Sequence, residues 1–88
     1  MPFFIAVYDV NVKRVAKMLK VFRRYMTWIQ NSVFEGELTD SQFARLQAEA
    51  KALMKPDEDS VIFYQLGNAK YVERTSLGAE RGEPGRVL

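Results

Sequence analysis

Between Phe3 and Met26 the hydrophobic pattern changes period, and that change restricts the chain to folds that open with a strand followed by a helix. The run Phe3-Phe4-Ile5-Ala6-Val7-Tyr8 is continuously apolar and rich in aromatic and branched side chains, as expected of a central strand covered on at least one face. Asp9 ends it. Val12, Val15, Leu19, Phe22 and Met26 then recur at steps of three and four, which puts them on one stripe of a helix that Asn11 can cap. The apolar run has no basic region before it and is too short to cross a bilayer, so a cytoplasmic protein without a membrane partner is expected.

The rest of the chain repeats the alternation. Residues Trp28 to Leu38 mix aromatic and branched side chains with polar ones, giving one bulged strand or a tight hairpin, with Glu35-Gly36 as the bend or bulge. Thr39 with Gln42 fits a capping box, and Leu38 with Phe43 fits the hydrophobic staple around it, so a second helix starts near Asp40. Its buried stripe is Phe43, Leu46, Ala50 and Leu53, and it ends near Met54, before Pro56 and the polar loop Asp57-Glu58-Asp59. Ser60 to Leu66 reads as a buried strand, Gly67-Asn68 as a turn, and Lys70 to Thr75 as a short strand.

Two strand-helix units on one antiparallel sheet give an α+β, ferredoxin-like (βαββαβ) domain over residues 1–77 with both helices on one face, leaving 78–88 as a tail. At 88 residues the core is thin, and the second sheet face needs a cover, which a homodimer would supply.

Charge is distributed unevenly. From Asn11 to Tyr25 six bases meet no acid, whereas Glu35 to Asp59 carries seven acids against three bases. Lys13, Lys17, Lys20 and Arg24 fall on one helical stripe, suited to a phosphate backbone, although a solvated face is the commoner meaning of such a run.

His and Cys are both absent, which excludes imidazole acid/base chemistry, thiolate nucleophiles and nitrogen or sulfur metal sites. Any metal would be held by oxygen. The residue placed for that is Asp9, at the end of the central strand beside the basic helix. Spacing alone favours an Asp9 that satisfies backbone N–H groups or pairs with Arg14. A functional Asp9 needs a hard cation such as Mg2+, and a two-fold dimer could duplicate it around one ion. Ser32 reads as a strand hydroxyl. Tyr8, Trp28, Phe34 and Tyr64 could stack on bases but are more often core, and Tyr8 and Phe34 are retained as candidates.

Tyr8-Asp9-Val10, the helix opening Lys13-Arg14-Val15-Ala16, the block Ile29-Gln30-Asn31-Ser32-Val33-Phe34-Glu35-Gly36 and the Ser-Val-Ile-Phe-Tyr strand resemble the Cas two family of CRISPR-associated proteins, over roughly residues 3 to 75. The resemblance implies a homodimer with facing sheets and an extra C-terminal strand reaching over the partner. It implies a part in CRISPR adaptation, bridging integrase subunits around a DNA spacer precursor, and Mg2+-dependent endonuclease activity on RNA or double-stranded DNA. By position Asp9 becomes the catalytic and metal-binding acid, supported by Tyr8, Arg14, Ser32 and Phe34, with Lys13, Arg14, Lys17, Lys20 and Arg24 on nucleic acid. The alternative from another class is a small-molecule-binding regulatory or plain interaction domain on the same fold.

Overall fold

A computed structural model describes residues 2–67 and 72–79. Asn68 of the expected turn, the first two residues of the expected last strand (70–71) and 80–88 of the expected tail lie outside the described residues. The elements run β1 (Phe3–Asp9), α1 (Val12–Arg23), β2 (Thr27–Gln30), β3 (Val33–Glu37), α2 (Asp40–Leu53), β4 (Ser60–Leu66) and β5 (Val72–Gly78). The strands form one antiparallel sheet in the order β2-β3-β1-β4-β5, the ferredoxin-like arrangement with one strand added.

Strand parity explains why the sheet has two unlike faces. Phe4, Ala6 and Tyr8 of β1 are buried, while Phe3, Val7 and Asp9 between them are exposed. Both helices pack on the first face. The Phe22 ring of α1 lies 5.2 Å from Tyr8, 5.3 Å from Phe34 and 5.9 Å from Phe63, and Phe43 of α2 lies 4.4 Å from Phe4. Side chains paired across the ladder share a face, so Ile5 stands with Glu35 and Tyr64, and Val7 with Val33 and Ile62, on the side away from the helices.

Local signals placed the helix starts correctly. The Asn11 side chain accepts from Lys13 N–H at 2.9 Å, and Thr39 and Gln42 form the reciprocal capping box. The expected buried stripe of α1 needs correction. Val12 is 83% exposed and Val15 is exposed, whereas Met18 and Phe22 are fully buried, so the core side of α1 is centred on Met18 and Phe22. The helix stops at Arg23, and Met26 is buried from the turn that follows.

Residues 27–37 form a hairpin, with the bulge between Trp28 and Gln30; Glu35 and Gly36 continue the regular β1 ladder. Asn31, at φ 45°, makes the reversal. β5 pairs with β4 of its own chain from Ser60↔Gly78 to Leu66↔Val72. It also extends into the expected tail: Ala79 N–H donates to the Asp59 carbonyl at 2.8 Å.

Replacing Phe22 by Ala removes the ring shared by three strands. An unfolding free energy lower by about 3–5 kcal/mol is expected in urea titrations.

Candidate nucleic-acid interface and carboxylate site

Three groups of residues converge on the end of the sheet where β1 finishes. Asp9 lies on the helix-free face, exposed, with Ser60 as its ladder partner. The β2–β3 turn reaches the same end, where the Ser32 carbonyl accepts Tyr8 N–H at 3.1 Å. Asp59, one residue before Ser60, serves the helix side.

Asp59 is fully buried and is the acceptor that holds this end together. Its Oδ1 takes Asn11 N–H at 2.8 Å and Arg14 Nη2 at 3.0 Å; its Oδ2 takes Arg14 Nε at 2.6 Å and Lys55 N–H at 2.9 Å. Glu58 Oε1 takes Arg14 Nη2 at 2.9 Å. A buried charge with four donors aimed at it is satisfied rather than stranded. The Arg14 guanidinium above all, then the Lys55 and Asn11 amides, outweigh burial and hold the Asp59 carboxyl well below the usual carboxylate range. Arg14 is raised by the same contacts.

The expected site residues therefore separate. Arg14 commits its guanidinium to Asp59 and Glu58, so the predicted phosphate contact at this position is corrected to a structural ion pair, and the Arg14–Asp9 pairing favoured by spacing is replaced by Arg14–Asp59. Tyr8 and Phe34 are buried on the helix side, which closes base stacking to both. Burial raises the Tyr8 phenol above its ordinary value. Their remaining contribution is to fix β1 and β3 beneath Asp9. Lys13, Lys17 and Lys20 are exposed along α1, as their spacing required. Arg24 is exposed but ion-paired with Glu49, which also accepts from the Tyr25 hydroxyl. Those two bonds, with Tyr25 the larger influence, lower the Glu49 carboxyl.

Asp59 escaped the sequence reading because Asp57-Glu58-Asp59 resembles a solvated loop. An acid directly before a buried strand was the available signal.

The small-molecule alternative finds a shallow groove of about 310 Å3 between the helices, lined by Lys17, Val21, Glu49, Ala52 and Leu53. The groove lies on the helix surface, away from Asp9, with Lys17 and Glu49 as its charged lining. Among the described residues no helix is long and apolar enough to cross a membrane.

The family described as CRISPR associated protein Cas2 matches residues 1–74. The chain belongs to this family. A CRISPR-associated endoribonuclease Cas2 of Thermotoga maritima is 48% identical over 86 residues, covering 98% of this chain and 99% of that protein. One of Dictyoglomus turgidum with the same name is 45% identical with the same coverage. A crystal structure of a Cas2 protein superposes with a TM-score of 0.72 at 34% identity, over 99% of this chain and 98% of that one. A Streptococcus pyogenes Cas2 structure does so at 0.68 and 31%, over 74% and 86%. Membership in the Cas2 family agrees with the five-stranded antiparallel sheet and paired helices found here.

The Asp59 cluster predicts an acid limb of stability. Because its carboxyl is lowered in the folded state, the unfolded chain binds more protons as acidity increases, so its contribution is complete above about pH 4 and is lost as pH falls toward the folded value. Asp59→Asn is expected to be less stable at neutral pH, by about 3–5 kcal/mol for a broken buried pair. Its stability should also fall less steeply than wild type below pH 4, as read by denaturant titrations at stepped pH.

Proposed function

We propose that this chain acts as a two-fold homodimer with facing sheets, binds nucleic acid during CRISPR adaptation and bridges integrase subunits there. We further propose that it cleaves RNA or double-stranded DNA with magnesium at a paired Asp9 site. The observation that carries the reading is the sheet face that neither helix covers, where Phe3, Ile5, Val7, Ile62 and Tyr64 lie together and Asp9 lies at the end of the same β1 face. Apolar surface of this kind favours a self-complementary contact, and a two-fold axis near the Asp9 end of β1 would bring two Asp9 carboxylates toward each other.

Magnesium requires oxygen donors, which carboxylates supply. Among the described residues of one chain no group of three or more carboxylates gathers, and the carboxylate this reading takes from each protomer is Asp9. Duplication gives two carboxylates, which with water and a phosphate oxygen suit the octahedral, oxygen-only preference of Mg2+. When bound, magnesium would supply an acidified water for attack on phosphorus and charge to offset the phosphate oxygens. The chain's own residues do the positioning. Lys13, Lys17 and Lys20 hold the backbone by charge without reading bases, and the Asp59 contacts fix the turn from Asp9 into α1. The relatives' name as endoribonucleases supports the cleavage half of the reading.

The deciding test is cleavage of labelled RNA and duplex DNA with Mg2+ or EDTA, comparing wild type with Asp9→Asn. Metal-dependent cutting lost in a still dimeric variant is expected; an active Asp9→Asn protein would place the chemistry elsewhere. Ile5→Asp should sediment as a monomer. Affinity should fall steeply with salt, and Lys17→Ala should lessen the log–log slope by about 1.

A further inference from the structure

We infer that Trp28 is a stacking platform for an unpaired nucleobase beside the basic helix, an assignment that rests on the nucleic-acid reading above and narrows its ligand to one with a single-stranded segment.

With Tyr8 and Phe34 buried, Trp28 is the exposed aromatic beside α1, at 47% accessibility. It lies on β2, one of the two edge strands, opposite Phe34, so its side chain stands on the helix side of the sheet. The indole is held in place. Its Nε1–H donates to the Asn31 carbonyl at 2.8 Å, across the tight turn that the positive φ of Asn31 creates. A ring fixed before binding loses little rotamer entropy when a base settles on it.

The placement of α1 supplies the phosphate partner. Its core side carries Met18 and Phe22, and the side toward α2 carries Lys17 and Val21, followed by Arg24 on Glu49. The remaining flank, at steps of four, carries Val15, Leu19 and Arg23, and α1 touches β2. The exposed Arg23 therefore stands on the flank nearest Trp28, with the lysine stripe beyond it and no acid between Asn11 and Tyr25. A fixed aromatic ring on the flank that also carries Arg23, for which no ion pair is found among the described residues, matches the two chemistries of a single-stranded nucleotide, a flat base and a phosphate. A base inside a duplex already stacks on its neighbours, so the ligand must present one that is unpaired.

Trp28 is the sole tryptophan of the chain, so its fluorescence reports this site directly. The full-length protein would be titrated with a blunt DNA duplex, the same duplex carrying an unpaired extension, and single-stranded RNA. Indole emission and the anisotropy of the labelled nucleic acid would be read separately. Quenching by the extended duplex and the single strand, but not by the blunt duplex, is expected. Trp28→Ala should weaken binding of the extended duplex about tenfold, within the range for one stacked base, leave the blunt duplex unchanged, and be largely rescued by Trp28→Phe. Anisotropy showing binding of the unpaired ligands without quenching, or equal affinities for Trp28→Ala, overturns the assignment while leaving nucleic-acid binding intact. No anisotropy change with any ligand overturns both. A blue shift on mixing with an integrase subunit and no response to unpaired nucleic acid would reassign Trp28, with the exposed Val12 and Val15, to protein docking.

Discussion

The buried Asp59 carboxylate joins segments that the chain would otherwise leave separate. It ties the turn after β1 through Asn11, the first turn of α1 through Arg14 and the start of the α2–β4 connection through Lys55, while its backbone carbonyl receives Ala79. Gly78 is required at this crossing. Its φ is +82°, and a Cβ there would stand 2.2 Å from the Asp59 carbonyl oxygen. An ion pair of this kind gains little over apolar packing in free energy, yet losing one partner strands the other, so it specifies one arrangement of the sheet end.

That arrangement puts the buried polar network and the proposed reactive carboxylate on opposite sides of the same strands. On the helix side, Asp59, Arg14, Tyr8 and Phe34 are occupied with one another and with the core. On the open side, Asp9 ends an apolar face. The basic stripe of α1 looks outward from a third direction, so a nucleic acid on the helices need not compete with a partner on the sheet.

Features set by near neighbours in the chain were legible in the sequence. Both helix starts depend on side chains within three residues of the amides they cap, and the alternation of β1 is written in its own residues. What escaped depends on contacts distant in the chain. The packing of α1 exposes Val12 and Val15 and buries Met18, which periodicity alone cannot fix because the stripe is wide enough for either choice. Arg14 looked like one more cation in a basic run until Asp59, 45 positions later, was brought against it. Of the candidate site, Asp9 and the three lysines stand where the sequence put them. The aromatic residues did not sort themselves, since strand patterning does not show which strand will be the outermost.

The alternation along β1 also constrains how this sequence can drift. Phe4, Ala6 and Tyr8 serve the helices, and Phe3, Val7 and Asp9 serve the open side, so every second position answers to a different surface. Insertion or loss of one residue between Phe3 and Asp9 would transpose the two sets, sending a carboxylate into the core and aromatic rings to the outside. Substitution is thus the permitted route of divergence in this strand. Length variation is confined to the connections that join the strands and helices.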